Sequence, residues 1–293
     1  MLRPAVSPAL AVVAAVMAVI ALSGCEALDD GKVHVVAGFY PLAWAAEEVA
    51  GPDAEVEDLA TPGVEPHDLE LKVRQTAALS DADLVLYEKG FQPSVDSAVE
   101  EYARDTLEVG STIRLTRTDD GADPHFWQDP ARMADYADAI GDKLASVDPA
   151  HAEDYRLRAA ILRGRLERLD RDYASGLTSC RVNTIVVSHD AFGYLSKYGL
   201  RVRGITGLSP DAEPSARHIR DLQDLIGRDH ITTVFSETLA SPRLTESLAR
   251  DLALHSEVLD PIEGVRDGAP SGTDYLTLMR DNLVKLRKAG ACS

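Results

Sequence analysis

Short apolar runs alternate with segments of helical period along this chain, and the alternation comes in two series. In the first, V-H-V-V-A-G-F (33–39) reads as a strand, and P-L-A-W-A-A-E-E-V-A follows at helical period with Pro41 near its start. A-E-V-E-D-L-A (54–60) and A-D-L-V-L-Y-E (82–88) are strand-like. A helix through Ala77–Leu79 precedes the second of these, and V-D-S-A-V-E-E-Y-A (95–103) is helical again. The second series has strands at 183–188, 202–205, 232–236 and 256–260. It has helices over A-F-G-Y-L-S-K-Y, from Pro214 or Ser215 onward, after Ser241 as N-cap with Pro242 at N1, and from Tyr275 to Lys288. Apolar strands joined by helical crossovers make parallel sheets covered on both faces. The expected fold class is therefore α/β, with two parallel-sheet lobes.

Between the series, Tyr155, Ala159, Leu162, Leu166, Leu169 and Tyr173 recur at steps of four and three, one apolar stripe. Pro149 starts this stretch and Gly176 is its expected stop. Its roughly 27 residues would form a rod of about 40 Å, long enough to join the lobes. No Pro- or Gly-rich hinge interrupts it, so the lobes are not expected to swing far apart. The other reading is a surface helix of one lobe. The expected organisation is an N-terminal lobe at 33–130, connecting helices at 131–178 and a C-terminal lobe at 179–293.

The chain opens differently. Ala9 to Leu22 is an unbroken apolar run, short for a membrane span and suited to a signal-peptide core. It ends in L-S-G-C, which resembles the bacterial lipobox, so residues 1–24 are read as a lipoprotein signal peptide and Cys25 as the lipidated residue. Residues 25–32 are a tether. The alternative is an uncleaved anchor helix; both place the lobes outside the cytoplasmic membrane. Cys180 and Cys292 then have one possible pairing in an oxidising compartment, the alternative being two buried thiols. Beyond residue 24 the chain carries 29 basic against 48 acidic residues, net −19. Such a surface repels phosphate backbones, so nucleic acid is not an expected partner.

Of eight histidines, three stand in distinctive settings. His67 lies in T-P-G-V-E-P-H-D-L-E, after a predicted strand. His125 lies in D-P-H-F-W-Q-D-P, where two prolines hold a stiff, non-helical loop. His189 follows the apolar strand at 184–188 in V-V-S-H-D-A-F. Ligands of open α/β sheets bind beyond the carboxyl ends of strands, so the three can converge on the cleft between lobes. Their separations, 58 and 64 residues, match no local metal motif, and spacing alone leaves packed imidazoles as the ordinary alternative.

P-G-V-E-P-H-D-L-E-L, D-P-H-F-W-Q-D-P, S-H-D-A-F-G-Y-L-S-K-Y-G-L, G-L-S-P-D-A-E-P-S and V-L-D-P-I-E-G, in this order, resemble the consecutive blocks of the metal-binding lipoproteins that serve zinc and manganese ABC importers. This is the zinc-uptake solute-binding family, the cluster with a rigid linking helix, and the likeness runs from 33 to 289. It implies a metal site of His67, His125 and His189 with a fourth ligand in V-L-D-P-I-E-G, either Asp260 at the strand end or Glu263. Asp260 is slightly favoured as the more rigid mount. Glu237 is a weaker candidate, read rather as bonding backbone donors near the cleft. Three imidazoles and one carboxylate suit Zn²⁺; Mn²⁺ prefers more oxygen and is the lesser expectation. Asp68, Asp123 and Asp190, close to the ligands, are candidates to accept the rings' second N–H.

The resemblance implies no enzyme. It implies an extracytoplasmic, lipid-anchored receptor which captures Zn²⁺ and delivers it to the membrane permease of an ABC importer; the sequence itself gives no sign of oligomer formation, so a monomer is expected. Many zinc members carry a long His- and acid-rich loop before the D-P-H block; here only R-L-T-R-T-D-D-G-A stands there. Capture then relies on the cleft itself or on a metallochaperone. The rivals are a manganese receptor of the same family, a zinc hydrolase and an adhesin-like protein with a structural metal. The hydrolase would need an open coordination position and a free general base.

Overall fold

The computed structural model describes residues 31–118 and 121–293. The expected signal peptide and Cys25 lie outside these residues, as does most of the tether. The N-terminal lobe runs β1 (Val33–Ala37), α1 (Tyr40–Ala50), β2 (Ala54–Asp58), α2 (Val73–Asp81), β3 (Leu84–Tyr87), α3 (Pro93–Tyr102) and β4 (Thr106–Glu108). Its four strands are parallel, in the order β2-β1-β3-β4. A two-stranded antiparallel hairpin follows, β5 (Thr116–Thr118) with β6 (Gly121–Asp123). Then come α4 (Pro130–Val147) and α5 (Ala152–Gly176). The C-terminal lobe has β7 (Thr184–Val187), a 3₁₀ helix at Gly193–Tyr198, β8 (Arg201–Gly204), α6 (Ala216–Asp229), β9 (Thr233–Ser236), α7 (Arg243–Leu252), β10 (His255–Val258) and α8 (Tyr275–Gly290). Its sheet, also parallel, is ordered β8-β7-β9-β10, the order of the first sheet repeated.

Burial explains the central strands. β7 is buried along its whole length, and β1 and β3 nearly so, because helices cover both faces. The outer strands β8 and β10 are mostly exposed and carry Arg201, Arg203 and Glu257. Proline sets several helix starts: Pro41, Pro93 and Pro130 all occupy the first positions of their helices. The second Asp-Pro pair of D-P-H-F-W-Q-D-P is thus a helix start and not only a loop brace, with the Asp129 side chain accepting from Ala131 N.

α5 buries Tyr155, Ala159, Leu162, Leu166, Leu169 and Tyr173, the whole apolar stripe. Its 25 residues span about 37 Å. It packs along α4 and also touches α1 and α8, so it contacts both lobes. Gly141 lets α4 approach closely: a Cβ there would lie 2.8 Å from that of Ala159. One apolar cluster runs from β1 and α1 through α4 and α5 into β7 and α8. Smaller clusters fill the outer side of each sheet. The lobes therefore share a core, and residues 33–293 form one unit.

Some local expectations change. A-F-G-Y-L-S-K-Y forms a 3₁₀ helix, closed by Gly199 at φ 87°. α7 begins at Arg243 with Pro242, not Ser241, at the N-cap. The long helix opens at Ala152, after a 3₁₀ turn at Pro149–His151. β4, β5 and β6, three residues each, were too short for a periodic signal. Cys180 and Cys292 form a disulfide, flanked by Val182 N–H donating to Gly290 O and Ser293 N–H to Ser179 O.

Candidate metal centre

All the side chains at issue stand beyond the carboxyl ends of strands. His67 is on the loop after β2, His125 just after β6, His189 two residues after β7 and Glu263 five after β10. His67, His125, His189 and Glu263 each offer a donor atom, and these atoms all lie within 4.8 Å of one another. Glu263 Oε1 is 3.0 Å from His189 Nε2, 3.1 Å from His125 Nε2 and 3.6 Å from His67 Nε2. A tetrahedral ion with bonds of about 2.0–2.2 Å needs ligand atoms about 3.3–3.6 Å apart, so the spacing fits one small cation. His125, His189 and Glu263 are buried, while the His67 side chain keeps 10% of its surface exposed. Phe91 packs against the His67 ring, centroids 4.3 Å apart, and Trp127 against His125 at 5.2 Å.

Buried polar atoms normally find partners, and here several do not. His67 Nε2, His125 Nε2 and Glu263 Oε2 make no hydrogen bond. Two unpaired ring nitrogens around the Glu263 carboxylate are what a cation of N and O preference would satisfy. Electrostatics agree. Burial alone would lower the pKa of His189, but the Glu263 and Glu237 carboxylates outweigh it and hold the ring well above the usual imidazole range. Burial likewise opposes charge on His125, and Asp123 and Glu263 raise it. Burial would raise Glu263, yet the surrounding imidazoles hold it well below the ordinary carboxylate value.

The supporting residues follow a local rule. Glu65-Pro66-His67 and Asp123-Pro124-His125 are both acid-Pro-His. Glu65 Oε1 accepts the His67 backbone N–H at 3.1 Å, and Asp123 Oδ1 accepts that of His125 at 3.0 Å. Proline blocks the helical region for the acid before it, and the carboxylate closes the turn two residues on. Asp123 Oδ1 also lies 2.8 Å from His125 Nδ1. An Nδ1–H held there leaves Nε2 as the bare donor toward the centre. Burial, then the Glu263 charge, pushes the Glu65 carboxyl up to about 8.

Of the three acids considered for the rings' second N–H, Asp123 alone takes that place. Asp190 accepts Gly204 N–H at 2.6 Å, and Asp68 is exposed. Beside His189 stands Glu237, with Oε2 2.7 Å from Nδ1, where a role toward backbone donors was expected. Its position at the end of β9 was the available signal. Asp260, favoured over Glu263 in the sequence, does not join the cluster: its Oδ1 accepts the Ile262 N–H at 2.8 Å, closing a turn. His34, His151 and His218 pair with Glu57, Asp148 and the Gly204 carbonyl away from the centre.

The sequence profile of the family described as zinc-uptake complex component A, periplasmic, matches residues 35–289. The zinc-binding lipoprotein AdcA of Streptococcus pneumoniae is 31% identical over 280 residues, covering 88% of this chain and 56% of that protein. The chain thus spans about half the length of the curated relatives it matches first. The high-affinity zinc uptake system protein ZnuA of Bacillus subtilis is 28% identical over 277 residues, 87% of each chain. The solved structure of the Zn(II)-bound ZnuA-like domain of S. pneumoniae AdcA superposes with a TM-score of 0.77 at 32% identity, covering 89% of this chain and 99% of that one.

Proposed function

The chain belongs to the ZnuA family, the periplasmic component A of zinc-uptake complexes, and on that premise we propose that it captures Zn²⁺ between its two lobes and delivers it to the membrane permease of an ABC importer. The family is one of solute-binding receptors, not enzymes. His67, His125, His189 and Glu263 are the proposed ligands. The observation that carries this reading is their convergence from four separate loops, with donor atoms within 4.8 Å and two ring nitrogens otherwise unpartnered. Three imidazoles and one carboxylate favour Zn²⁺ over Mn²⁺, which takes more oxygen.

The rest of the proposal follows the sequence. Residues 1–24 are a signal peptide, Cys25 carries the lipid anchor and 25–32 are the tether. Residues 33–130 and 179–293 are the lobes, joined through 131–178, and the protein works as a monomer. Among the described residues no helix is long and apolar enough to cross a membrane. Docking on the permease would pull ligand loops apart, and the ion would leave because only the assembled set binds it tightly. A metallochaperone is a further proposed partner, since no His-rich segment stands in R-L-T-R-T-D-D-G-A.

The test is metal content with competitive titration of Zn²⁺ against Mn²⁺ on the wild type, His125→Ala and Glu263→Ala. Preferential Zn²⁺ binding that both substitutions weaken is expected. Undiminished affinity in either variant would remove that residue from the set.

A further inference from the structure

Four non-glycine residues among those described have positive φ: His230, Ala253, Ile262 and Ala291. Three of them cap the C-termini of α6, α7 and α8, where a left-handed residue is ordinary. Ile262, at φ 61°, is not at a helix end, and it is β-branched, the class least tolerant of that region. It immediately precedes Glu263. A strained residue persists only where its surroundings over-determine it, and here they do. Asp260 Oδ1 accepts the Ile262 N–H at 2.8 Å. The Pro261 carbonyl accepts from Trp127 Nε1 at 2.8 Å and Gln128 Nε2 at 2.5 Å. Asn282 grips Asp260 from both sides, accepting its N–H at 3.0 Å and donating to its carbonyl at 2.6 Å. The Ile262 side chain is fully buried in the shared core.

Asp260-Pro261-Ile262 repeats the acid-Pro-X turn of Glu65-Pro66-His67 and Asp123-Pro124-His125. In all three the acid closes the turn onto the N–H two residues on. Trp127 and Gln128 belong to the 3₁₀ turn directly after His125, so the Pro261 carbonyl ties that turn to the Glu263 loop.

We propose that Asp260 is a positioning residue: it holds Ile262 in the left-handed conformation that turns the Glu263 carboxylate onto the three imidazoles, in place before the metal arrives. This rests on the reading of Glu263 as a ligand. Two carboxylates three residues apart then divide the work, one facing the ion and the other building its mount.

The experiment measures Zn²⁺ affinity by competition, and the thermal midpoint of the metal-free protein, for wild type, Asp260→Asn, Asp260→Ala and Glu263→Ala. Asn keeps an oxygen that accepts the Ile262 N–H, so Asp260→Asn should stay within about threefold of wild type. Asp260→Ala should lose roughly 10- to 100-fold, the range for residues that orient ligands. Where Asp260→Ala does not fold, Asp260→Ser replaces it; its hydroxyl accepts the same N–H more weakly, and it should bind less tightly than Asp260→Asn. Equal losses in the Asn variant and in the Ala or Ser variant would mark Asp260 as a ligand and overturn the proposal. So would a lowered thermal midpoint with unchanged affinity, the mark of a purely structural role. If Glu263→Ala itself binds normally, the ligand reading has failed. If Glu263→Ala loses binding while Asp260→Ala or Asp260→Ser keeps it, only the positioning role has failed.

Discussion

Glu263 is buried among three imidazoles, and the charge it keeps there sets how the site meets protons. His125 and His189 hold their protons more tightly than a free imidazole, against the pull of burial, because the Asp123, Glu237 and Glu263 carboxylates surround them. Protons and metal compete for the same nitrogens. Competition therefore sets in above the ordinary imidazole pKa of about 6.5. Zn²⁺ affinity is expected to fall from pH 8 to pH 5, by about tenfold per unit for each competing ring. Titration in a series of buffers reads this directly, and a flat profile would contradict it. Glu88 is a different buried acid. Neither of its carboxyl oxygens has a hydrogen-bond partner, and burial, with Asp123 adding, pushes its pKa well up. The unfolded chain ionises it above about pH 4.3, whereas the folded chain keeps it protonated. Its cost to stability is thus absent at lower pH and grows as pH rises toward the folded value. Glu88→Gln should raise the thermal midpoint at pH 8 and leave it unchanged near pH 4; equal shifts at both would assign the effect to packing.

At the scale of elements, α5 is the part most fully written in the sequence. A stripe at steps of four and three can be buried only as one face of a helix, and all six of its members are. Leu166, fully buried in the shared core, should cost about 2–5 kcal/mol as Leu166→Ala, measured by denaturant unfolding. A cost under 1 kcal/mol would mean that α5 carries little of the core. The acid-Pro-X turns were half legible. Proline announces a stiff, non-helical segment, but the carboxylate's partner two residues on depends on the turn that closes. Trp127 shows the limit: its indole reaches a carbonyl 134 residues away, which no local pattern encodes. The three-residue strands β4, β5 and β6 were missed for a simpler reason, since a period cannot be read from so few positions.

For the molecule as a whole, two sheets of the same strand order share one core through α4 and α5. Continuous packing of that kind leaves no seam for wide opening. Cys180–Cys292 closes the C-terminal lobe over a sequence separation of 112 residues. In the chain-entropy account a loop of that length contributes about 4–5 kcal/mol by restricting the unfolded chain. Reduction, or Cys180→Ser with Cys292→Ser, should lower stability by about that amount, read by denaturant unfolding with and without reductant. No change would mean that the unfolded chain is already constrained there.

The sequence by itself determined the alternation of strands and helices, the apolar face of α5 and the stiffness of the loop around His125. Each of these follows from periodicity or from backbone restriction, which act within a few residues. Only the tertiary structure decided which carboxylate of V-L-D-P-I-E-G faces the imidazoles, and that Glu237 stands beside His189. Those outcomes turn on one left-handed residue, Ile262, and on distances of about 3 Å between side chains from different loops. Such contacts are set by how the sheets and helices pack, not by neighbours in the chain.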